Sequence, residues 1–214
     1  MKGKFIISVI AIIVLSVMVV VLYDSDPMTV SNDLEENPYD WVVSYTTAEE
    51  PLVEQKVESV LESNYDGFLT EEDIYKLQLW VSGNIQYMSG EPQYPKDTLT
   101  TFKGNCYNKG ILLYSMFLHE SRNETQKPIY MLLIDIGETF KHTAVCTKLG
   151  SNIIISDTTI DSWAINDICK LSDPQIAIEN IIDGTTVTEY RIITAVSLND
   201  YKEFEDNEEF YDWI

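Results

Sequence analysis

Nineteen consecutive residues, Phe5 to Tyr23, carry no charge and read FIISVIAIIVLSVMVVVLY. At 1.5 Å rise per residue this run makes about 28 Å of helix, close to the hydrocarbon thickness of a bilayer. Lys2 and Lys4 precede it, Asp24 and Asp26 follow, and the next basic residue is Lys56. That asymmetry predicts a single-pass anchor with its N-terminus inside and the rest of the chain outside the cytoplasm, at the cell membrane. A cleaved signal peptide would have a shorter apolar core ending in a small-x-small site; here the run is longer and continues as Val-Leu-Tyr-Asp. The expected organisation is an anchor over 1–23, an acidic neck over 24–48, one domain over 49–199 and an acidic tail over 200–214.

The remaining residues suffice for one cored domain. Fourteen basic residues stand against 35 acidic ones, a formal net charge of −21. Such a surface repels phosphate, which argues against nucleic acid as a partner. Three cysteines, Cys106, Cys146 and Cys169, are an odd number and include no CxxC pair. That is neither a disulfide framework nor a zinc pattern.

Helical periodicity comes first along the chain. Leu52, Val53, Val57, Val60 and Leu61 recur at three and four, and Asn64-Tyr65-Asp66-Gly67 stops them. Thr70 should cap a second helix, with Asp73 at its third position and Ile74, Leu77, Trp80, Val81 and Ile85 as its apolar face. Gly90 to Pro95 reads as a loop. A third helix is expected from Cys106 to Glu120, capped by Asn105. Strand-like runs follow at Ile129–Ile136, His142–Lys148 and Ile153–Asp157, with Gly150-Ser151 as a hairpin turn. A further helix over 176–182 and a strand over 187–198 complete the reading. Helices first and strands later predict an α+β fold with N-terminal helices packed on an antiparallel sheet.

Chemistry concentrates in three segments: Lys103-Gly104-Asn105-Cys106, Lys141-His142-Thr143-Ala144-Val145, and Ser156-Asp157-Thr158-Thr159. A thiol at a helix N-terminus is favoured as thiolate by the dipole and the terminal N–H groups, which can also hold an oxyanion. A cysteine nucleophile needs a base. His119 lies thirteen residues along the same helix, about 20 Å away, which leaves His142. A two-residue turn at Gly150-Ser151 pairs positions summing to 301, and one at Leu149-Gly150 pairs positions summing to 299. Both put His142 and Asp157 on one face, so Asp157 can orient the imidazole. Taken singly, each of these residues has a commoner structural use; jointly they favour a site.

The stretch from Trp80 to Thr159 resembles the transglutaminase-like superfamily, including its bacterial and archaeal cysteine-protease relatives. The matching features are Ile85-Gln86-Tyr87, then Thr98-Leu99 leading to Gly104-Asn105-Cys106, the apolar helix GILLYSMFL, His142-Thr143-Ala144-Val145 and Asp157-Thr158-Thr159. The resemblance implies a papain/transglutaminase-like core with Cys106 as nucleophile, His142 as base and Asp157 as orienting acid. Gln86, Gln78 and Trp80 are candidates for the second oxyanion donor. Where the family usually has acidic residues around the cysteine, this chain has Asn105, Tyr107 and Asn108. Two activities fit: a cysteine-dependent acyl-transfer enzyme acting on peptide or amide bonds of a protein or peptide at the cell surface, by hydrolysis or transamidation, or an inactive envelope module that binds a surface protein or glycan.

No cofactor is required by this chemistry. Glu62 to Asp73 loosely fits a calcium loop, with Asn64, Asp66 and Asp73 as ligand candidates, although positions one and twelve depart from the pattern. Asn123-Glu124-Thr125 is a glycosylation sequon if exported. Cys146 and Cys169 are either a disulfide or two buried thiols, and Cys146 shares strand parity with His142.

Overall fold

The computed structural model describes residues 37–125, 127–136, 140–158, 169–170 and 190–214. The apolar run 5–23, the stretch 24–36 of the expected neck, Thr159 and the expected helix over 176–182 lie outside them. Among the described residues no helix is long and apolar enough to cross a membrane.

The fold is α+β. Helices α1 (Pro38–Tyr45), α2 (Pro51–Leu61), α3 (Glu71–Asn84), α4 (Pro95–Thr101) and α5 (Cys106–Glu120) come first. A two-residue parallel ribbon, β1 (Gln86–Tyr87) with β2 (Lys103–Gly104), brackets α4. Then follow β3 (Ile129–Ile136), β4 (Phe140–Leu149), β5 (Asn152–Ser156), β6 (Cys169–Lys170), β7 (Tyr190–Val196), β8 (Tyr201–Glu203) and α6 (Asn207–Trp213). The strands form one antiparallel sheet in the order β6-β5-β4-β3-β7-β8.

Helix α3 starts where the sequence says it should. The Thr70 side chain accepts the Asp73 N–H while the Asp73 carboxylate accepts the Thr70 N–H, a reciprocal capping box. Its buried face is Ile74, Leu77 and Val81, each worth about 1.5–3 kcal/mol on burial. Helix α5 is different: every residue from Cys106 to Phe117 is buried. It is the central rod, gripped by α2, α3 and α4 and by the sheet through β3 and β4. Gly110 is where β4 comes close. A Cβ there would stand 3.1 Å from both the Thr143 hydroxyl and the Met131 methyl.

The sheet carries two cores. Met131, Leu133, Val145, Ile154 and Val196 join the core of the N-terminal helices. Leu132, Ile134, Ala144, Cys146, Ile155, Ile192 and Ala195 join a second core, closed by Phe204 and Phe210. That second core corrects the expected tail. Residues 200–214 are folded, because β8 pairs with β7 and α6 presses Phe210 against the sheet. Trp213 meets the Tyr130 ring at 4.9 Å, and Lys148 donates to the Ile214 carbonyl at 2.8 Å.

Two further elements depart from expectation. Helix α1 occupies part of the expected neck, capped by Asn37 and buried through Trp41 and Val42. Trp41 stacks on Tyr45 at 5.2 Å and meets Tyr107 edge-on at 6.0 Å. Helix α4 begins at Pro95, inside the expected loop boundary, and ends where Phe102 turns left-handed at φ 54°.

Candidate active site

Cys106 is the first residue of α5. Asn105 precedes it in extended conformation, and its side chain accepts the Asn108 N–H at 3.0 Å. The helix start is therefore fixed by a local cap, as the sequence indicates. The two asparagines also reach sideways. Asn105 Nδ2 donates to the Gly90 carbonyl at 3.0 Å, and Asn108 Nδ2 to the Glu91 carbonyl at 3.2 Å. Asn108 Oδ1 accepts the Gln93 N–H at 2.8 Å. Amides can both donate and accept, and these two hold loop 88–94 beside the thiol.

The hairpin register is the one summing to 301: Leu149 opposes Asn152 and Val145 opposes Ser156. Gly150 takes φ +62° in the turn, which glycine accepts without strain. The ladder ends at Ser156; continued by one step, the same register would set Ala144 against Asp157 with His142 as the diagonal neighbour. The two side chains meet: His142 Nε2 bonds Asp157 Oδ2 in a short, buried contact. With Nε2 turned to Asp157, Nδ1 is the ring nitrogen available to a sulfur. His142 is 4 % exposed, Asp157 1 % and Cys106 0 %.

Burial alone would pull the His142 pKa down. The Asp157 carboxylate, by charge and by hydrogen bond, and the Cys106 side chain, by hydrogen bond and by charge, outweigh it and push the value up to about 10. Cys106 thus acts directly on the ring. Cys146 sits in a contrasting place: it belongs to the second core, and burial pushes its thiol up. It is a free cysteine. Ile155 stands between Cys146 and Cys169 in the sheet register, so their Cα atoms lie two strand spacings apart, about 9.5 Å. That exceeds the span of a disulfide.

Gln78, 6 % exposed, donates its Nε2 to the Asp157 carbonyl at 2.9 Å. It fixes the chain where β5 ends. Gln86 is exposed on β1 opposite Lys103. Trp80 is half-buried under the Lys56 ammonium, 4.5 Å from its ring, and tilts against Phe102 at 6.5 Å. Sequence reasoning passed over Tyr87, although it noted the segment. The phenol lies close enough to feel the Cys106 charge, and β1 pairs it with Gly104.

His119 is remote from this group. Its Nδ1 meets the Ala48 carbonyl and its Nε2 the Tyr65 hydroxyl, both at 2.9 Å. The suggested calcium loop has structural employment. Asp66 Oδ1 accepts the Phe68 N–H at 3.0 Å, Asp73 caps α3, and the Asn64 side chain bonds Glu72. Buried Glu120 accepts the N–H groups of Asp66 and Gly67 at 3.0 and 2.8 Å. Among the described residues no cluster of three His, Cys, Asp or Glu is placed to hold a metal ion. The sequon Asn123 is engaged here too, donating Nδ2 to the Asp66 carbonyl at 2.9 Å.

No family model matches the chain, and no curated protein matches it in sequence. Its likeness to solved structures is weak. A "Putative Cysteine Protease" from Cytophaga hutchinsonii is 16% identical, with a TM-score of 0.39. The match covers 61% of this chain and 43% of that one, so the chain spans under half the length of that structure. LapG from Legionella pneumophila is 10% identical over 80% of this chain and 91% of that one, with a TM-score of 0.48. Its EGTA-treated form is 11% identical over 82% and 93%, again with a TM-score of 0.48.

Proposed function

We propose that this protein is a cysteine-dependent acyl-transfer enzyme of the transglutaminase-like kind, acting on peptide or amide carbonyls, with Cys106 as nucleophile, His142 as base and acid, and Asp157 as the group that orients the imidazole. The observation that carries the reading is the buried His142–Asp157 pair acting directly on a thiol at the start of α5. The paired ring holds its proton, and an imidazolium beside the sulfur favours the thiolate. The sulfur attacks the carbonyl carbon, and His142 gives its proton to the leaving amine. A thioester on Cys106 remains, to be resolved by water or by an incoming amine. Asp157 keeps Nε2 engaged, so that Nδ1 faces the sulfur throughout.

The domain is held at the cell membrane by residues 5–23, outside the cytoplasm, where its substrate is a protein or peptide. The rival reading, an inactive module that binds a surface protein or glycan, draws support from the burial of all three site residues. Iodoacetamide separates the two. In the folded protein, peptide mass spectrometry over a pH series should find Cys106 alkylated faster than Cys146, and His142→Ala should slow that alkylation about 10²-fold, the lower end of what a positioned base contributes, roughly 10²–10⁴. Equal sluggishness of both thiols, unchanged by His142→Ala, would favour the binding module.

A further inference from the structure

Building on the thiol-acylation reading, we infer that the Tyr87 hydroxyl is a catalytic residue that donates a hydrogen bond to the oxyanion formed when Cys106 attacks a carbonyl. The argument starts from the β1–β2 ribbon. Gln86 N–H donates to the Phe102 carbonyl at 2.9 Å and Met88 N–H to the Gly104 carbonyl at 3.1 Å, which locks the parallel register. Tyr87 is then the partner of Gly104, and partners in a ladder present their side chains to one face. Gly104 has no side chain to occupy that face. Asn105 continues extended, with φ −82° and ψ −173°, so alternation returns Cys106 to the parity of Gly104 and hence of Tyr87. Gln86 and Met88 have the opposite parity. The register therefore singles out Tyr87 over its neighbour Gln86.

Electrostatics agree with the register. Burial first, and the charge on Cys106 second, push the Tyr87 phenol up to about 12. At neutral pH the hydroxyl keeps its proton and is a donor. The residue is also 43 % exposed, whereas the thiol is closed off, so a carbonyl arriving from solvent meets the ring. The N-terminal dipole of α5 supplies the rest of the stabilisation.

The test needs no natural substrate, because two reagents split the chemistry. With p-nitrophenyl acetate the sulfur bonds to the carbonyl carbon and the C=O π pair moves onto oxygen. That pair then returns, expelling p-nitrophenolate and leaving acetyl-Cys106. With iodoacetamide the sulfur displaces iodide from a CH2 group and no oxyanion forms. In the full chain in detergent, Tyr87→Phe keeps the ring and removes only the donor. It should slow acetylation of Cys106 about 10²-fold while leaving alkylation within about twofold, since one oxyanion donor is worth about that much. The alkylation rate doubles as the check that the variant is folded. Equal slowing of both reactions, or of neither, overturns the assignment and leaves the Cys106 reading standing. An unsubstituted protein whose Cys106 takes neither reagent overturns both.

Discussion

Replacing Asp157 by Ala should reveal how the buried pair contributes to stability, and the size of the effect should depend on pH in a specified direction. Both partners are almost inaccessible to solvent. Removing one member of a buried pair while the other stays charged costs about 3–5 kcal/mol. The ring has an escape, which is to lose its proton, so the deficit belongs to conditions where the imidazole is charged. In the native protein the His142 pKa is raised from 6.5 to about 10. A raised folded-state value contributes stability that is fully present below the unfolded-state value and is lost as pH climbs through the folded one. The loss runs at about 1.4 kcal/mol per pH unit within that window. The deficit of Asp157→Ala against the unsubstituted chain should therefore be widest near pH 6 and narrow steadily toward pH 10. Urea unfolding followed by tryptophan fluorescence, with both proteins in the same non-ionic detergent at half-unit pH steps, gives the curve. A deficit that stays constant across the window, or grows with pH, would refute the paired-imidazolium argument.

Three other substitutions probe separate supports. Gln78→Leu removes the amide that holds the Asp157 carbonyl; it should cost about 1 kcal/mol in urea unfolding and shift the pH profile of Cys106 alkylation, an effect a purely structural contact would not produce. Glu120→Ala leaves the Asp66 and Gly67 amides without their buried carboxylate, for an expected loss of about 3 kcal/mol with Cys106 reactivity retained in the folded fraction. Gly67→Ala forces a side chain at φ +87° into the Asn123 amide, 2.3 Å from the new Cβ, and should lower the thermal midpoint, corresponding to about 1–3 kcal/mol. Finally, protease added to intact cells should digest the domain if the chain is anchored with residues 24–214 outside; full protection would count against that topology.

The sequence exposed those parts of the fold that are decided locally. Thr70 and Asp73 lie three residues apart and cap each other, so the start of α3 was readable. The same holds for Asn105 and α5, and Gly150 marked a hairpin whose two open registers both bring His142 and Asp157 to one face; the structure adopts the one summing to 301. What stayed hidden depends on distant partners. Helix α1 is buried because Trp41 finds Tyr107, which is remote in the chain. The C-terminal segment looked like a tail because its acids dilute the apolar signal, and Phe204 and Phe210 matter only once the sheet offers them a face. Helix α4 spans seven residues rich in threonine, too short to display a period. Tyr87 was legible as part of Ile85-Gln86-Tyr87 but not as a neighbour of Cys106, for a related reason: the two are brought together by a two-residue parallel ribbon across a whole helix.

Enclosure of α5 on all sides has a bearing on amide hydrogen exchange. A helix gripped by three others and by two strands offers no sub-global opening that would release its middle turns, so Ile111 to Phe117 should exchange only through complete unfolding, among the slowest amides in the protein. Loop 88–94 hangs beside the same helix by three side-chain bonds from Asn105 and Asn108, and its amides should exchange orders of magnitude sooner. Cys106 would thus ride on the most persistent part of the molecule while its surroundings open and close on a much shorter clock. A chain built this way can uncover and re-cover that thiol repeatedly without loosening the helix that carries it.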